Sequence, residues 1–432
     1  MMAPSTRLLA ASLLVVVPLA AAAGMSPHLA RPCLAALALC AAAAIFDAVQ
    51  GWRRVQCVRV SAPQLLRITK GVTAELPLAL ENRAAMPLDL RIAVAMPEGV
   101  EAIQSVRSIR VPAGKSAVEW AIAGRARGDF RVQAVHLETP SLVGLWMARA
   151  TRAVNCSLRV YPNLRDHATA SLFLKTRDLG IRVYRQVGKG REFDNLRQYM
   201  PGDSFEDIHW KATAKRGFPA VKLYRVEHAQ ELYAVIDASR LSAREGILES
   251  YVDAALHLAL VAERQGDRFG LVTFSGHTRD FVRARHGMDH FRLCRETIYN
   301  LRAERVSPDF REVFTTLLTA LRRRSLVIFF TSLDDALLAE TFEREVPLVA
   351  RRHLVLVNVP RTAATRPLFT GEAPENLDAA YQRLAGQMLC NRMRTLKIAL
   401  QNHGVRLAMV DAERIKQQVT AQYLDVKRRQ AL

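Results

Sequence analysis

The chain has 432 residues, half of them hydrophobic and 24% charged, which excludes an intrinsically disordered protein and allows for about two or three domains with sizeable cores. Lys and Arg outnumber Asp and Glu by 61 to 41, and the formal net charge of +20 suits contact with anionic lipid, an acidic protein or nucleic acid. Six scattered cysteines (Cys33, Cys40, Cys57, Cys156, Cys294 and Cys390) form no CxxC pair, which argues against a zinc site and a disulfide framework and for a reducing compartment. Nucleic-acid binding would want basic residues interleaved with exposed aromatics; only the surroundings of Trp210 offer that, so no nucleic-acid partner is expected.

Residues 1–54 read as a membrane anchor. Leu8 to Gly24 carries no charge and is rich in Leu, Val and Ala, close to the lower limit of roughly 17 residues for a spanning helix. A second apolar stretch runs from about Leu29 to Val49, with Arg31 and Asp47 near its ends. Two transmembrane helices in a hairpin are expected; the alternative is a cleaved signal peptide ending near Ala21-Ala22-Ala23. In either case the positive-inside rule, applied to Arg7 and to Arg53, Arg54 and Arg59, puts the bulk of the chain on the cytoplasmic side.

Residues 55–162 change to short alternating runs such as Leu88-Asp-Leu90-Arg-Ile92-Ala-Val94 and Val118-Glu-Trp120-Ala-Ile122, separated by turns at Pro97-Glu98-Gly99 and Pro112-Ala113-Gly114. This predicts an antiparallel β-sandwich of immunoglobulin-like type, with no catalytic constellation inside it.

Residues 163–230 are dominated by GKGREFDNLRQYMPGDSFEDIHWKATAKRGFPAVKLYRVE, from Gly188 to Glu227. Phe193, Leu196 and Met200 recur at helical spacing, predicting an amphipathic turn before the Pro201-Gly202 break. Ser204 reads as an N-cap with Asp207 three residues on, opening a helix that Gly217 and Pro219 close. Its polar face carries His209, Lys211, Lys215 and Arg216 among Asp203, Glu206 and Asp207.

The ordered set Glu192-Phe193, Leu196-Arg197, Tyr199, Pro201-Gly202-Asp203, Ile208, Trp210-Lys211-Ala212, Ala214-Lys215-Arg216 and Glu227 resembles the signature of a family of membrane-anchored bacterial proteins carrying domain of unknown function 58. In that family the segment leads into a von Willebrand factor A-like domain. The resemblance extends into the β region through Arg125-Ala126-Arg127-Gly128, Gly144-Leu145 and Val160-Tyr161-Pro162, although Ser141-Leu142-Val143-Gly144 stands where the family has Asp-Pro-Phe-Gly. It implies residence in the bacterial inner membrane and work beside a MoxR-type AAA+ ATPase in the assembly or maturation of other proteins.

Residues 231–432 alternate strands and helices. Apolar runs at Leu232–Ile236, Phe269–Phe274, Leu326–Phe330, Leu354–Val359 and Val405–Val410 are separated by helical patterns, and a return strand lies near Phe281. The fold class expected is α/β, a mostly parallel sheet flanked by helices with one antiparallel strand. This is also the element order of a von Willebrand factor A-like domain. A loop is expected over Pro360 to Pro374.

Ligands of open α/β sheets bind beyond the carboxyl ends of the strands, where Asp237-Ala238-Ser239, Thr331-Ser332 and Asp334-Asp335 fall. The resemblance implies a cation held by Asp-x-Ser-x-Ser, a Thr and a distant Asp. Here Leu241 takes the second Ser position, the Thr-bearing loop reads Ser307-Pro308-Asp309, and Thr331-Ser332 replaces Thr-Asp. If Mg²⁺ or another divalent cation binds, Asp237, Ser239 and Asp334 are its ligands; otherwise Asp237 and Ser239 cap the helix that follows.

No catalytic residues are expected. Glu192, Arg197, Tyr199, Asp203, Trp210, Lys211 and Arg216 are expected to make a protein-binding surface, since Trp and Arg concentrate binding energy at interfaces. The alternative is a metal-dependent hydrolase using Asp203 and His209, a histidine beside carboxylates being tunable for acid-base work.

Overall fold

The computed structural model describes residues 1–25, 27–163, 187–188, 192–201, 203–225, 230–244, 246–361 and 377–429. Gly202, Glu227 and the loop expected over Pro360 to Pro374, apart from its first two residues, lie outside the described residues, as do the side chains of Glu192 and Arg216. The chain divides into two compact units, Met1–Asn163 and Leu164–Leu432.

The first unit opens with a short strand, β1 (Met2–Pro4), which the sequence pattern did not announce because three residues carry no period. Then come α1 (Thr6–Ala11), a π-helical turn (Ser12–Val16), α2 (Val17–Met25) and α3 (Pro27–Gln56). Thr6–Gly24 and Ala30–Gln56 are long and apolar enough to cross a membrane, and 0% and 11% of their apolar windows are buried in the protein, unlike the core helix of a soluble domain. Because β1 pairs antiparallel with the strand Trp146–Tyr161, the chain ahead of the first apolar helix and the chain after the second meet the same sheet, as a hairpin requires.

That sheet belongs to a two-sheet β-structure. Its strands are β2 (Val58–Ser61), β3 (Leu65–Thr69), β4 (Thr73–Asn82), β5 (Leu88–Val94), β6 (Val100–Ala102), β7 (Arg107–Val111), β8 (Gly114–Gly124), β9 (Gly128–Pro140) and β10 (Trp146–Tyr161). One sheet runs β1-β10-β9-β5-β7 with β3 beside β10, and the other runs β2-β4-β8-β6. All pairs are antiparallel except β3 with β10. Leu76, Leu78 and Leu80 from one sheet and Leu88, Leu90 and Ile92 from the other share one core, so the period of two in the sequence marks the inward faces.

The helices are fastened to this unit by one buried acid. Asp47, only 2% exposed, accepts from the Ser141 hydroxyl (2.5 Å) and from the backbone N–H groups of Val143 (2.9 Å) and Leu145 (3.1 Å) in the β9–β10 turn. Trp146 Nε1 donates to the Ala44 carbonyl at 2.9 Å, and Arg152 donates to the carbonyls of Val55 and Val58. An acid near the end of an apolar helix is thus satisfied by the turn it holds, and α3 continues past the expected Val49 because its last turns rest on the strands.

The second unit begins with a three-stranded sheet, β11 (Val187–Gly188), β12 (Glu192–Gln198) and β13 (Ala220–Arg225), ordered β11-β13-β12. The amphipathic turn expected over Phe193, Leu196 and Met200 is therefore corrected to a strand. A register shift between Phe193 and Asn195 interrupts the period of two, leaving a spacing that imitates a helix. The helix expected from Ser204 is also corrected. Phe205–Asp207 is a 3₁₀ turn, and α4 (Trp210–Arg216) starts five residues later than expected, because Ile208 bridges to Val221 and His209 N–H donates to the Ala220 carbonyl at 2.8 Å. Gly217, at φ 75°, ends α4 as expected.

The remainder is a six-stranded sheet with helices on both faces: β14 (Glu231–Asp237), α5 (Ile247–Arg264), β15 (Arg268–Phe274), β16 (Thr278–Arg285), α6 (Met288–Ile298), α7 (Phe310–Ala320), β17 (Leu326–Phe330), α8 (Ala336–Ala350), β18 (Leu354–Pro360), α9 (Leu377–Asn402), β19 (Arg406–Val410) and α10 (Ile415–Arg428). The order is β16-β15-β14-β17-β18-β19, parallel throughout except for β16. Along β14, Leu232, Ala234 and Ile236 pack with α5 and α10, while Tyr233 and Val235 join the core under α7, α8 and α9. In the second core Phe342 meets Phe310, Phe314 and Phe329 edge-on at centroid distances of 5.0, 5.3 and 5.7 Å.

Replacing Asp47 by Ala strands a hydroxyl and two backbone N–H groups, and is expected to cost on the order of 2–3 kcal/mol, with Asp47→Asn costing less because one oxygen still accepts. Thermal unfolding of the detergent-solubilised protein measures both; equal stability of Asp47→Ala and wild type would contradict the fastening.

Candidate functional site

The sequence singles out two places, and both lie in the second unit. The first is the carboxyl end of the six-stranded sheet. Asp237 closes β14 and is fully buried. Its Oδ1 accepts from Ser239 N–H at 2.8 Å and its Oδ2 from the Thr331 hydroxyl at 2.6 Å, while the Ser242 hydroxyl donates to its carbonyl. Burial pushes the Asp237 carboxyl above its ordinary range, and the bonds from Ser239 and Thr331 only partly offset this. Ser239 Oγ accepts from Leu241 N–H and caps a 3₁₀ turn, Arg240–Ser242. Asp237 and Ser239 thus stabilise this turn, whereas α5 starts further on, at Ile247, with Gly246 as its N-cap.

Two arginines occupy the rim above Asp237. Arg244 Nη1 lies 2.7 Å from Asp334 Oδ2, and Arg240 Nη2 lies 2.8 Å from Asp335 Oδ2 while its Nε donates to Ser307 Oγ at 3.0 Å. The Arg240 bond holds the Asp335 carboxyl below its ordinary range, and Asp335 in turn caps α8 by accepting from Leu337 and Leu338 N–H. These arginines carried no motif signal in the sequence; they are recognisable only once the β14, β17 and Ser307 loops converge.

Three buried oxygens, Tyr251 Oη, Ser332 Oγ and Asp334 Oδ1, have no hydrogen-bond partner among the described residues. Two are hydroxyls, and burial with the nearby carboxylates raises the Tyr251 pKa well above its ordinary value. A divalent cation wants several anionic or carbonyl oxygens free to turn toward it. Here Asp237 is occupied on both oxygens, Asp334 is paired with a guanidinium, and no cluster of three or more His, Cys, Asp or Glu side chains suited to a metal occurs among the described residues. The donor set of Asp237, Ser239 and Asp334 does not fit Mg²⁺; two hydroxyls and one carboxylate oxygen are a set that ordered water can bridge.

The second place is the segment around α4. Arg197 Nη2 lies 2.7 Å from Asp203 Oδ1, and Asp203 Oδ2 accepts from Met200 N–H at 2.9 Å, so both carboxylate oxygens are in use. His209 is the N-cap of α4, its Nδ1 accepting from Ala212 N–H at 3.1 Å. The expected surface residues are only partly brought together. Arg197 and Asp203 pair and Lys211 is exposed, whereas Glu192 and Arg216 contribute side chains outside the described set. Tyr199 stacks on Phe205 at 5.7 Å. Trp210 is 68% exposed and Phe205 is 72% exposed. Met200 and Phe218, neither of which the sequence reading put on the binding surface, are exposed too.

Against known proteins, the family described as "Protein of unknown function DUF58" matches residues 195–366, which takes in α4 and the sheet as far as β18. The "Uncharacterized protein YeaD" of Bacillus subtilis (strain 168) is 22% identical over 251 residues, or 56% of this chain, and the match spans 60% of that protein's length. Among solved structures, the ASH/PapD-like domain 7 of human CEP192 is 15% identical over 25% of this chain and 87% of that one, with a TM-score of 0.19. A protein of unknown function from Porphyromonas gingivalis W83 is 19% identical over 25% of this chain and 50% of that one, also at 0.19. Likenesses that slight carry no argument.

A folded-state pKa raised above the unfolded value means that Asp237 favours folding most at pH values below its unfolded pKa and that this contribution is lost as pH rises through the folded one. Asp237→Asn, which can still accept from Ser239 N–H, is therefore expected to gain stability relative to wild type as the pH is raised from 4 to 8. Melting temperatures across that range decide it: a deficit that deepens with pH would mean that the carboxylate's charge is needed.

Proposed function

We propose that the protein is a membrane-anchored adaptor whose α4 segment binds another protein. The observation that carries this reading is the exposure of Phe205 and Trp210 beside the Arg197–Asp203 pair, in the segment where the family match begins. Two large aromatics left in water, Phe205 in the 3₁₀ turn and Trp210 at the start of the capped helix α4, cost solvation that a protein partner would recover, and Trp and Arg are the side chains in which interface energy concentrates. The net charge of +20 favours an acidic partner surface.

In this reading Thr6–Gly24 and Ala30–Gln56 span the bacterial inner membrane as a hairpin, with both units on the cytoplasmic side. The β-unit is an immunoglobulin-like spacer. The strand order β16-β15-β14-β17-β18-β19, with β16 antiparallel, supports a von Willebrand factor A-like domain, one whose cation pocket has been replaced by arginine–carboxylate pairs. The partner is a MoxR-type AAA+ ATPase acting in assembly or maturation of other proteins, an assignment that rests on the family resemblance.

A hydrolase built on Asp203 and His209 would need an unengaged carboxylate and imidazole. Asp203 accepts two bonds already and His209 Nδ1 caps a helix, so the adaptor is preferred.

Truncating an interface anchor costs about 2 kcal/mol or more, roughly thirtyfold in affinity. Trp210→Ala and Phe205→Ala are expected to abolish co-purification of an AAA+ ATPase, identified by mass spectrometry, with the tagged full-length protein from solubilised membranes, while leaving its melting temperature within a degree or two. Undiminished recovery from both variants would refute the surface. Hydrolysis of a model ester or phosphate that vanishes in His209→Ala would favour the enzyme instead.

A further inference from the structure

We propose that the amino-terminal end of the six-stranded sheet carries a binding site for a ligand with two or more phosphoryl groups, formed by Arg322, Arg323, Arg324, Arg352 and His353. A cavity of ≈ 460 Å³ lies between the end of α7, the Leu321–Arg324 loop ahead of β17 and the Arg352–His353 turn ahead of β18. That volume falls in the usual range for small-molecule sites. Four arginines and one histidine are among the residues that line it, and no acidic residue is. None of the four arginines has a carboxylate partner among the described residues, whereas Arg311 and Arg344 share Glu345.

His353 supplies the independent observation. It is 3% exposed, it lines the cavity, and neither ring nitrogen has a hydrogen-bond partner among the described residues. Burying an imidazole without partners is unfavourable, and a ligand oxygen accepting from its N–H would recover that cost. Burial, and then the charge of Arg352, push the His353 pKa down, which favours the neutral ring, a form that can donate one N–H without adding to the repulsion among the arginines. Forked guanidinium donors match phosphoryl oxygens bidentately, and four positive charges call for more than one negative charge. β17 and β18 are interior strands of the sheet, so the turns that carry these residues rest on rigid elements.

The competing account is that Arg322, Arg323 and Arg324 only offset the partial negative charge at the end of α7. It predicts no dependence on the nature of the anion. The ligand could be a free oligophosphate or the headgroup of an anionic phospholipid, and separate arms of one experiment tell these apart. Full-length protein in neutral detergent is titrated with pyrophosphate, with sodium chloride of equal ionic strength, and with a short-chain cardiolipin, whose headgroup carries two phosphoryl groups, and binding is followed by thermal shift and calorimetry. Saturable binding of pyrophosphate or of the lipid is expected, absent with chloride, and the tighter of the two names the source. Arg322→Ser with Arg324→Ser should weaken it at least tenfold, the two Lys substitutions should weaken it less, and His353→Gln should weaken it severalfold with the fold intact by circular dichroism. If the double serine variant does not fold, Arg323→Gln alone serves, with a threefold or greater loss expected. Equal responses to chloride and pyrophosphate, or equal binding by wild type and the folded arginine variants, would overturn the proposal.

Discussion

The second unit is organised around a carboxylate that is fully buried. Asp237 stands at the carboxyl end of the central strand, where an open α/β sheet gathers its loops, and it is held by the Thr331 hydroxyl, the Ser239 N–H and the turn that Ser239 caps. Each bond ties β14 to a neighbouring loop. Around this point the negative charge is met from within the chain, by Arg244 on Asp334 and Arg240 on Asp335. The two carboxylates next to this strand end are thus each engaged by a guanidinium group in a direct charge-assisted bond.

With the sheet end closed by pairs within the chain, the exposed aromatic side chains of Phe205 and Trp210 lie on the α4 segment. The segment is tied down by the β12–β13 ladder, by His209 at one end of its helix and by Gly217 at the other, so its aromatic side chains are presented on a fixed frame. Order of this kind lowers the entropy lost when a partner binds. In the first unit a single acid plays a comparable part. Asp47 joins an apolar helix to the turn Ser141–Leu145, so that the helix cannot rotate against the β-unit without breaking three hydrogen bonds.

Much of the architecture was legible in the sequence because hydrophobic period and turn chemistry agreed. Leu76, Leu78 and Leu80 alternate inward in β4, the continuous run Leu232–Ile236 is buried on both faces of β14, and Gly404, with φ at 76°, ends the last long helix. The α4 segment misled where tertiary pairing overrode local pattern. Phe193, Leu196 and Met200 keep a helical interval across a register shift in a strand, and Ser204 and Asp207 have the letters of a capping pair while the ladder to β13 holds Ile208 and His209 extended. The site was legible only in part. Asp237, Ser239 and Asp334 could be located from strand ends, but Arg240 and Arg244 could not, because their partners are 95 and 90 residues away in sequence. Exposure of Phe205 and Trp210 was likewise invisible, since an aromatic at helical spacing reads equally well as core.

The central claim is that contact with another protein is made at the α4 aromatics and not at the arginine-closed end of the sheet. A photo-crosslinking amino acid placed at Phe205 samples the first surface, and one placed at Leu337, 75% exposed in the first turn of α8 beside Asp335, samples the second. The account predicts a discrete crosslinked protein from position 205 in intact membranes and only background from position 337. A product confined to position 337 would contradict it.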